Sequence, residues 1–145
     1  MVRAIVMHHS NETLLAQHLA AENAHDLDAI VATYGKDPTV VINGQVFAGR
    51  DAIRMFHERF GFGANGSFSD VCVTELRRYP SDGAIILELT LSGRHTAKWQ
   101  GLAPTGRRFE VPVCTVYLFD TSGLLSGERV YFDAGALRRQ LEGTT

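Results

Sequence analysis

The chain has 145 residues, 45% of them hydrophobic and 21% charged, with a formal net charge of −2. This is ordinary globular composition, so disordered and fibrous classes are excluded, and the near-neutral balance lacks the basic footprint of a nucleic-acid or anionic-lipid binder. No apolar stretch approaches the ~20 residues of a membrane span and no cleavable leader is legible, while Cys72 and Cys114 stand apart, as expected of reduced thiols in a cytoplasmic protein.

The length suits one domain, 1–145, with its core over 12–142 and the first ten residues frayed; such a domain buries roughly 68–70% of its unfolded surface. Ser10 or Asn11 is placed to cap a first helix whose 3.6-period stripe holds Leu14, Leu15, His18, Leu19 and Glu22. Asp26 caps a second, with Leu27, Ile30, Val31 and Tyr34 on one face and Gly35 at its end. The run 39–43 reads as a strand, Gly44-Gln45 as a tight turn and 46–48 as a returning strand. A third helix from Arg50 or Asp51 carries Ile53, Phe56, His57 and Phe60 and stops at Gly61.

Beyond residue 67 the period becomes 2. Strands are expected over 68–79, 84–98, 107–119 and 124–132, joined by the turn-forming runs Pro80–Gly83, Ala103–Gly106 and Asp120–Gly123. A closing helix follows over 134–141. Helices first and then one curved antiparallel sheet describe an α+β domain in two layers. The stretch from Val111 to Phe119 is apolar on both alternating sets, so both faces of that strand need cover; the helices supply one, and a homodimer partner is the simplest second.

The polar signal rises toward one end of the sheet. Centring one hairpin near Ala103 and the next near Ser122 sets His95, Val111 and Asp133 in a row across three strands, with roughly 9–10 Å between the outer backbones. A carboxylate in an apolar pocket, facing a histidine, is equipment for proton abstraction beside a carbonyl without metal or nucleotide. Two plainer readings stand beside it: Asp133 as the N-cap of the last helix, and His95 as a half-exposed strand residue. Tyr34, Trp99, Tyr117 and Tyr131 are candidate pocket walls or plain core, and Asn43 is a donor to a substrate oxygen or a turn residue before Gly44. His57 reads as a core-edge residue, and no His/Asp/Glu group has metal-ligand spacing along the chain.

Three stretches carry a resemblance. GRHTAKWQGLAPTGRR from Gly93 to Arg108, RVYFD from Arg129 to Asp133 leading into AGALRRQL, and FAGRDAI from Phe47 resemble the signature segments of SnoaL-like polyketide (ester) cyclases within the nuclear transport factor 2-like superfamily. The resemblance implies a cone-shaped α+β barrel, a hydrophobic cavity between helices and concave sheet, a homodimer, and no cofactor or metal. By motif position it assigns the acid/base aspartate to Asp133 and the signature histidine to His95. It implies a cyclase or isomerase acting on a small apolar carbonyl compound, with a non-catalytic ligand-binding or dimerisation module as the alternative. Ala97, Lys98 and Trp99 depart from the usual residues after His-Thr. The related limonene-epoxide hydrolases place their catalytic aspartate where this chain has Val130, which leaves their Asp-Arg-Asp arrangement incomplete.

Overall fold

The computed structural model describes residues 2–144, with side chains from Ser10 onward. In chain order the elements are α1 (Val2–Asn23), α2 (Leu27–Ala32), β1 (Tyr34–Ile42), β2 (Gln45–Ala48), α3 (Arg50–Phe60), β3 (Phe68–Ser81), β4 (Ala84–His95), β5 (Arg108–Phe119), β6 (Leu125–Phe132) and α4 (Ala134–Glu142). The six strands form one curved sheet in the order β2-β1-β6-β5-β4-β3, antiparallel throughout except where β1 runs parallel to β6. The expected α+β architecture is the observed one.

Local chemistry explains most boundaries. Asp26 accepts from the Ala29 amide and caps α2, and Asn43 and Gly44 take positive φ in the turn that sends β1 back as β2. α1 starts at Val2 rather than at Ser10 or Asn11, because no glycine or proline interrupts the preceding residues. α2 stops at Ala32, two residues before the expected last helical position. Tyr34 therefore opens a strand, where the Arg50 guanidinium at the start of α3 donates to the carbonyls of Tyr34 and Gly35 at 2.6 and 2.8 Å. At Gly127 the carbonyl of Thr39 occupies the space a Cβ would need, so only glycine lets β1 approach β6 there.

The helices lie on the concave face. Leu15, Ile30, Ile53, Leu137 and Leu141 are fully buried against the inward residues of the sheet, among them Ile85, Leu87, Val111 and Leu125. By area, each such side chain contributes roughly 1.5–3 kcal/mol. The end of α1 is pinned to β3: the Asn23 amide donates to and accepts from the Val73 backbone at 2.9 and 2.8 Å, and His25 bonds the Val71 carbonyl at 2.7 Å. This clamp holds the last turns of α1 over the sheet.

Register is where the expectation fails. β4 and β5 pair Leu91 with Val111, so the hairpin centres on Gly101 rather than Ala103, and His95 lies opposite Arg107 instead of Val111. The turn after β5 is centred as expected at Phe119–Leu125, but a bulge between Leu118 and Phe119 shifts the ladder by one residue and sets Val113 opposite Phe132. A one-residue shift reverses which face a side chain takes. The row His95, Val111, Asp133 does not form.

Candidate active site

Three elements bring four polar side chains to one buried point. His18 and Glu22 sit one turn apart on α1, His57 on the inner face of α3, and Glu128 on β6; all four are buried. The Nε2 of His18 lies 3.1 Å from Glu22 Oε1 and 3.0 Å from Glu128 Oε1, and His57 Nε2 lies 3.4 Å from the same Glu22 oxygen. The other nitrogens are fixed from outside. Thr33 Oγ1 donates its own hydrogen to the Ile30 carbonyl at 2.6 Å and therefore accepts from His18 Nδ1 at 2.8 Å. His57 Nδ1 donates to the Ile53 carbonyl at 2.8 Å. Both imidazoles are thus turned with Nε2 inward.

Burial alone would keep the His18 imidazole neutral, but the Glu22 and Glu128 carboxylates together outweigh it and push His18 up to about 10. Burial likewise works to raise Glu22, and His18 with His57 overcomes it and holds Glu22 down at about 2. His18 Nε2 thus stands between the two carboxylates, and its charge serves both. Burial, reinforced by the Glu128 and Glu22 charges, holds the phenols of Tyr34 and Tyr117 well above the ordinary value, so both stay protonated donors.

A cavity of about 330 Å³ ends on this cluster. Glu22, His57, Thr115, Tyr117 and Glu128 form its buried floor, and Tyr117 and Glu128 are direct cross-strand partners on one face of the sheet. Phe47, Phe56, Phe60 and Phe62 on one side, with Val73, Leu89, Leu91 and Val113 on the other, make apolar walls. Exposed Asn43, Gln45 and Gln100 mark the open end. Apolar walls with a few convergent polar groups are the usual form of a small-molecule site.

A family model described as a SnoaL-like domain matches residues 15–126, most of the chain. The chain belongs to the SnoaL-like domain family. Solved structures agree on the fold. A protein from Jannaschia sp. CCS1 classed with the SnoaL-like polyketide cyclases superposes with a TM-score of 0.83 at 15% identity, covering 96% of each chain. TsrD from Streptomyces laurentii gives 0.78 at 24% identity, covering 91% of this chain and 94% of its own. A protein of ketosteroid isomerase-like fold from Catenulispora acidiphila, in complex with trimethylamine, gives 0.75 at 18%, covering 91% and 93%. No curated protein matches the sequence significantly.

In this SnoaL-like domain the residues expected from sequence are scattered. Asp133 caps α4, its Oδ1 accepting from the Ala136 amide at 2.9 Å, and its side chain is 68% exposed. His95 is fully buried rather than half-exposed; its Nδ1 accepts from the Thr105 amide at 3.2 Å, and its ring lies against Phe68. Neither side chain lines the cavity: the bulge in β5 turns Asp133 away, and His95 stays on the inward face but lies past the cavity, against Phe68. Tyr34 sits behind the floor against the His18 ring, and Tyr131 is exposed on the outer face of β6. Asn43, Trp99 and Tyr117 do line the cavity, and Asn43 also clamps the Phe132 backbone through both ends of its amide.

Sequence reasoning placed His18 and Glu22 only in an apolar helix stripe, His57 at a core edge and Glu128 on a strand. The available signal was the stripe itself: two ionisable residues four apart on a face otherwise made of leucines must find buried partners. Among the described residues no helix is long and apolar enough to cross a membrane.

Proposed function

We propose that the protein is a SnoaL-like cyclase or isomerase that moves a proton on a small, largely apolar carbonyl compound bound in the cavity. The observation that carries this reading is the Glu128 carboxylate: buried, lining the cavity, and paired across the strands with Tyr117, a protonated donor on the same floor. Glu128 takes a proton from the carbon beside the carbonyl. The electron pair moves onto the carbonyl oxygen, where the Tyr117 hydroxyl donates to the developing oxyanion. The enolate then attacks a second carbonyl and closes a ring, the protonated Glu128 returning its proton to the new alkoxide, or it takes that proton back at another carbon. His18, bonded to Glu22, supplies the positive charge that keeps two carboxylates in an apolar interior. The phenylalanine walls favour a ligand with one polar end and a ring or chain system behind it.

A homodimer through the outer face of the sheet belongs to the same reading. Ile86, Val116 and Leu118 are only half-buried there and Tyr131 is exposed, so a second copy would remove apolar surface from water. A thermal-shift screen with ring-containing and chain ketones tests the binding step, because a ligand of the native state raises its melting temperature. Stabilisation that disappears in Tyr117→Phe supports the reading. Stabilisation by apolar compounds irrespective of a carbonyl, with no turnover, makes the domain a binding module instead.

A further inference from the structure

The floor cluster has a second chemical property that proton transfer does not require. His18, Glu22 and His57 each offer one ligand atom, and no two of these atoms are more than 4.8 Å apart. The closest pairs are 3.1 and 3.4 Å. Metal–ligand bonds of about 2.0–2.1 Å put neighbouring donor atoms roughly 3–3.4 Å apart, so two edges of a coordination shell are already in place. The third edge, at most 4.8 Å, must close by up to about 1.4 Å for a tetrahedral shell.

The outer support points the same way. A metal-ligating histidine normally binds through one nitrogen while the other N–H donates to a fixed acceptor, which sets the tautomer and the ring orientation. Both histidines have that arrangement: His18 Nδ1 to Thr33 Oγ1, and His57 Nδ1 to the Ile53 carbonyl. A backbone carbonyl is acceptor only, so His57 Nδ1 holds its hydrogen there and Nε2 is the nitrogen turned inward. Glu128 is an independent sign. Its side chain is only 6% exposed and lies 3.0 Å from His18 Nε2. A second buried carboxylate beside a two-histidine, one-carboxylate set adds negative charge that favours a divalent cation there. Glu22, His57 and Glu128 line a cavity open at its far end, which gives a metal an entry path.

We propose that His18 Nε2, His57 Nε2 and a Glu22 oxygen bind one divalent transition metal, with Glu128 as the adjoining carboxylate. Two imidazoles and a carboxylate suit zinc, cobalt or ferrous iron rather than calcium or magnesium, which prefer all-oxygen shells. The site uses the floor of the reading above but needs none of its reaction. A metal there would face the polar end of a ligand and act on the carbonyl oxygen as a Lewis acid.

The test is titration of chelator-treated full-length protein with cobalt(II) chloride, followed by visible absorption and, in parallel, by zinc-dependent thermal shift. Expected are one equivalent bound per chain, the intense visible bands of a low-coordinate nitrogen/oxygen site, and displacement by zinc. Thr33→Val removes the outer acceptor of His18 together with the hydroxyl's own bond to the Ile30 carbonyl, and should weaken cobalt affinity roughly 10–100-fold. His57→Gln should abolish the bands, whereas His25→Gln, on a histidine outside the cluster, should leave them unchanged. Absence of saturable bands in the wild-type protein overturns the proposal, whatever the variants do. So do bands that persist in His57→Gln. Ketone binding that survives chelation alongside a failed cobalt titration removes the metal and leaves the proton-transfer reading standing; cobalt binding without any ketone ligand does the reverse.

Discussion

Two histidine–carboxylate sets lie in this small domain, in opposite surroundings. At the rim, Asp133 is exposed and occupied with a helix amide, and His95 is buried among aromatic rings with a loop amide as its partner. At the floor, His18, Glu22, His57 and Glu128 converge from three elements, lose their water, and face a cavity or one another. The rim residues have the motif positions, but the floor set has the coupled buried charges and opens on the cavity. Chemistry at neutral pH needs ionisable side chains shifted by their surroundings and open to a ligand, and the floor supplies both.

The sharpest way to break the comparison is to change one atom in each region. Glu128→Gln keeps shape and removes proton transfer, so turnover of a discovered substrate should fall roughly 10²–10⁴-fold, with Tyr117→Phe lowering it by less. Stopped-flow or steady-state assay of the two variants checks the order. Next in size is Glu22→Ala. It leaves the His18 charge buried with one partner fewer and should cost about 3–5 kcal/mol in urea unfolding, in the range for a broken buried ion pair. A loss near zero would mean that the cluster is held together by packing alone.

Charge coupling at the floor also sets a pH window. His18 is raised from 6.5 to about 10, so its contribution to stability is complete below pH 6.5 and is lost as pH climbs toward 10. Glu22 is lowered from 4.5 to about 2, so its contribution is complete above pH 4.5 and is lost as pH falls toward 2. Metal-free protein should therefore be most stable between these two ordinary values. Melting temperatures across pH 3–10 check this, and Glu22→Gln should flatten the acid limb. The smallest effect belongs to the rim. Asp133→Ala should cost about 1 kcal/mol as a lost cap, and Asp133→Asn almost nothing. Neither should alter ligand binding.

The same contrast explains what could be read from the chain. The elements were legible because turn and cap chemistry is local: Asp26, Asn43-Gly44 and Asp120–Gly123 each act within a few residues. Register was not. A bulge at Leu118/Phe119 and a hairpin centred two residues earlier leave no mark in alternation, yet together they take His95 and Asp133 out of line. Tyr34 was misplaced by one element, because the end of α2 is set by Thr33 and by the grip of Arg50 rather than by Gly35. The floor was hidden for a deeper reason. Its members are 4, 35 and 110 positions from His18, Glu22 or each other in ways no linear spacing expresses, and only folding α1 onto β6 and α3 onto β1 gathers them.

The central claim is that the reacting end of the cavity is Glu128 on the floor rather than Asp133 at the rim. It is tested most directly by proton NMR of hydrogen–deuterium exchange at the carbon beside the carbonyl in small ring-containing ketones incubated with the protein in deuterium oxide. Wild-type protein and Asp133→Asn should catalyse the exchange equally, and Glu128→Gln should lose it roughly 10²–10⁴-fold. Exchange that survives in Glu128→Gln and disappears in Asp133→Asn would contradict the account.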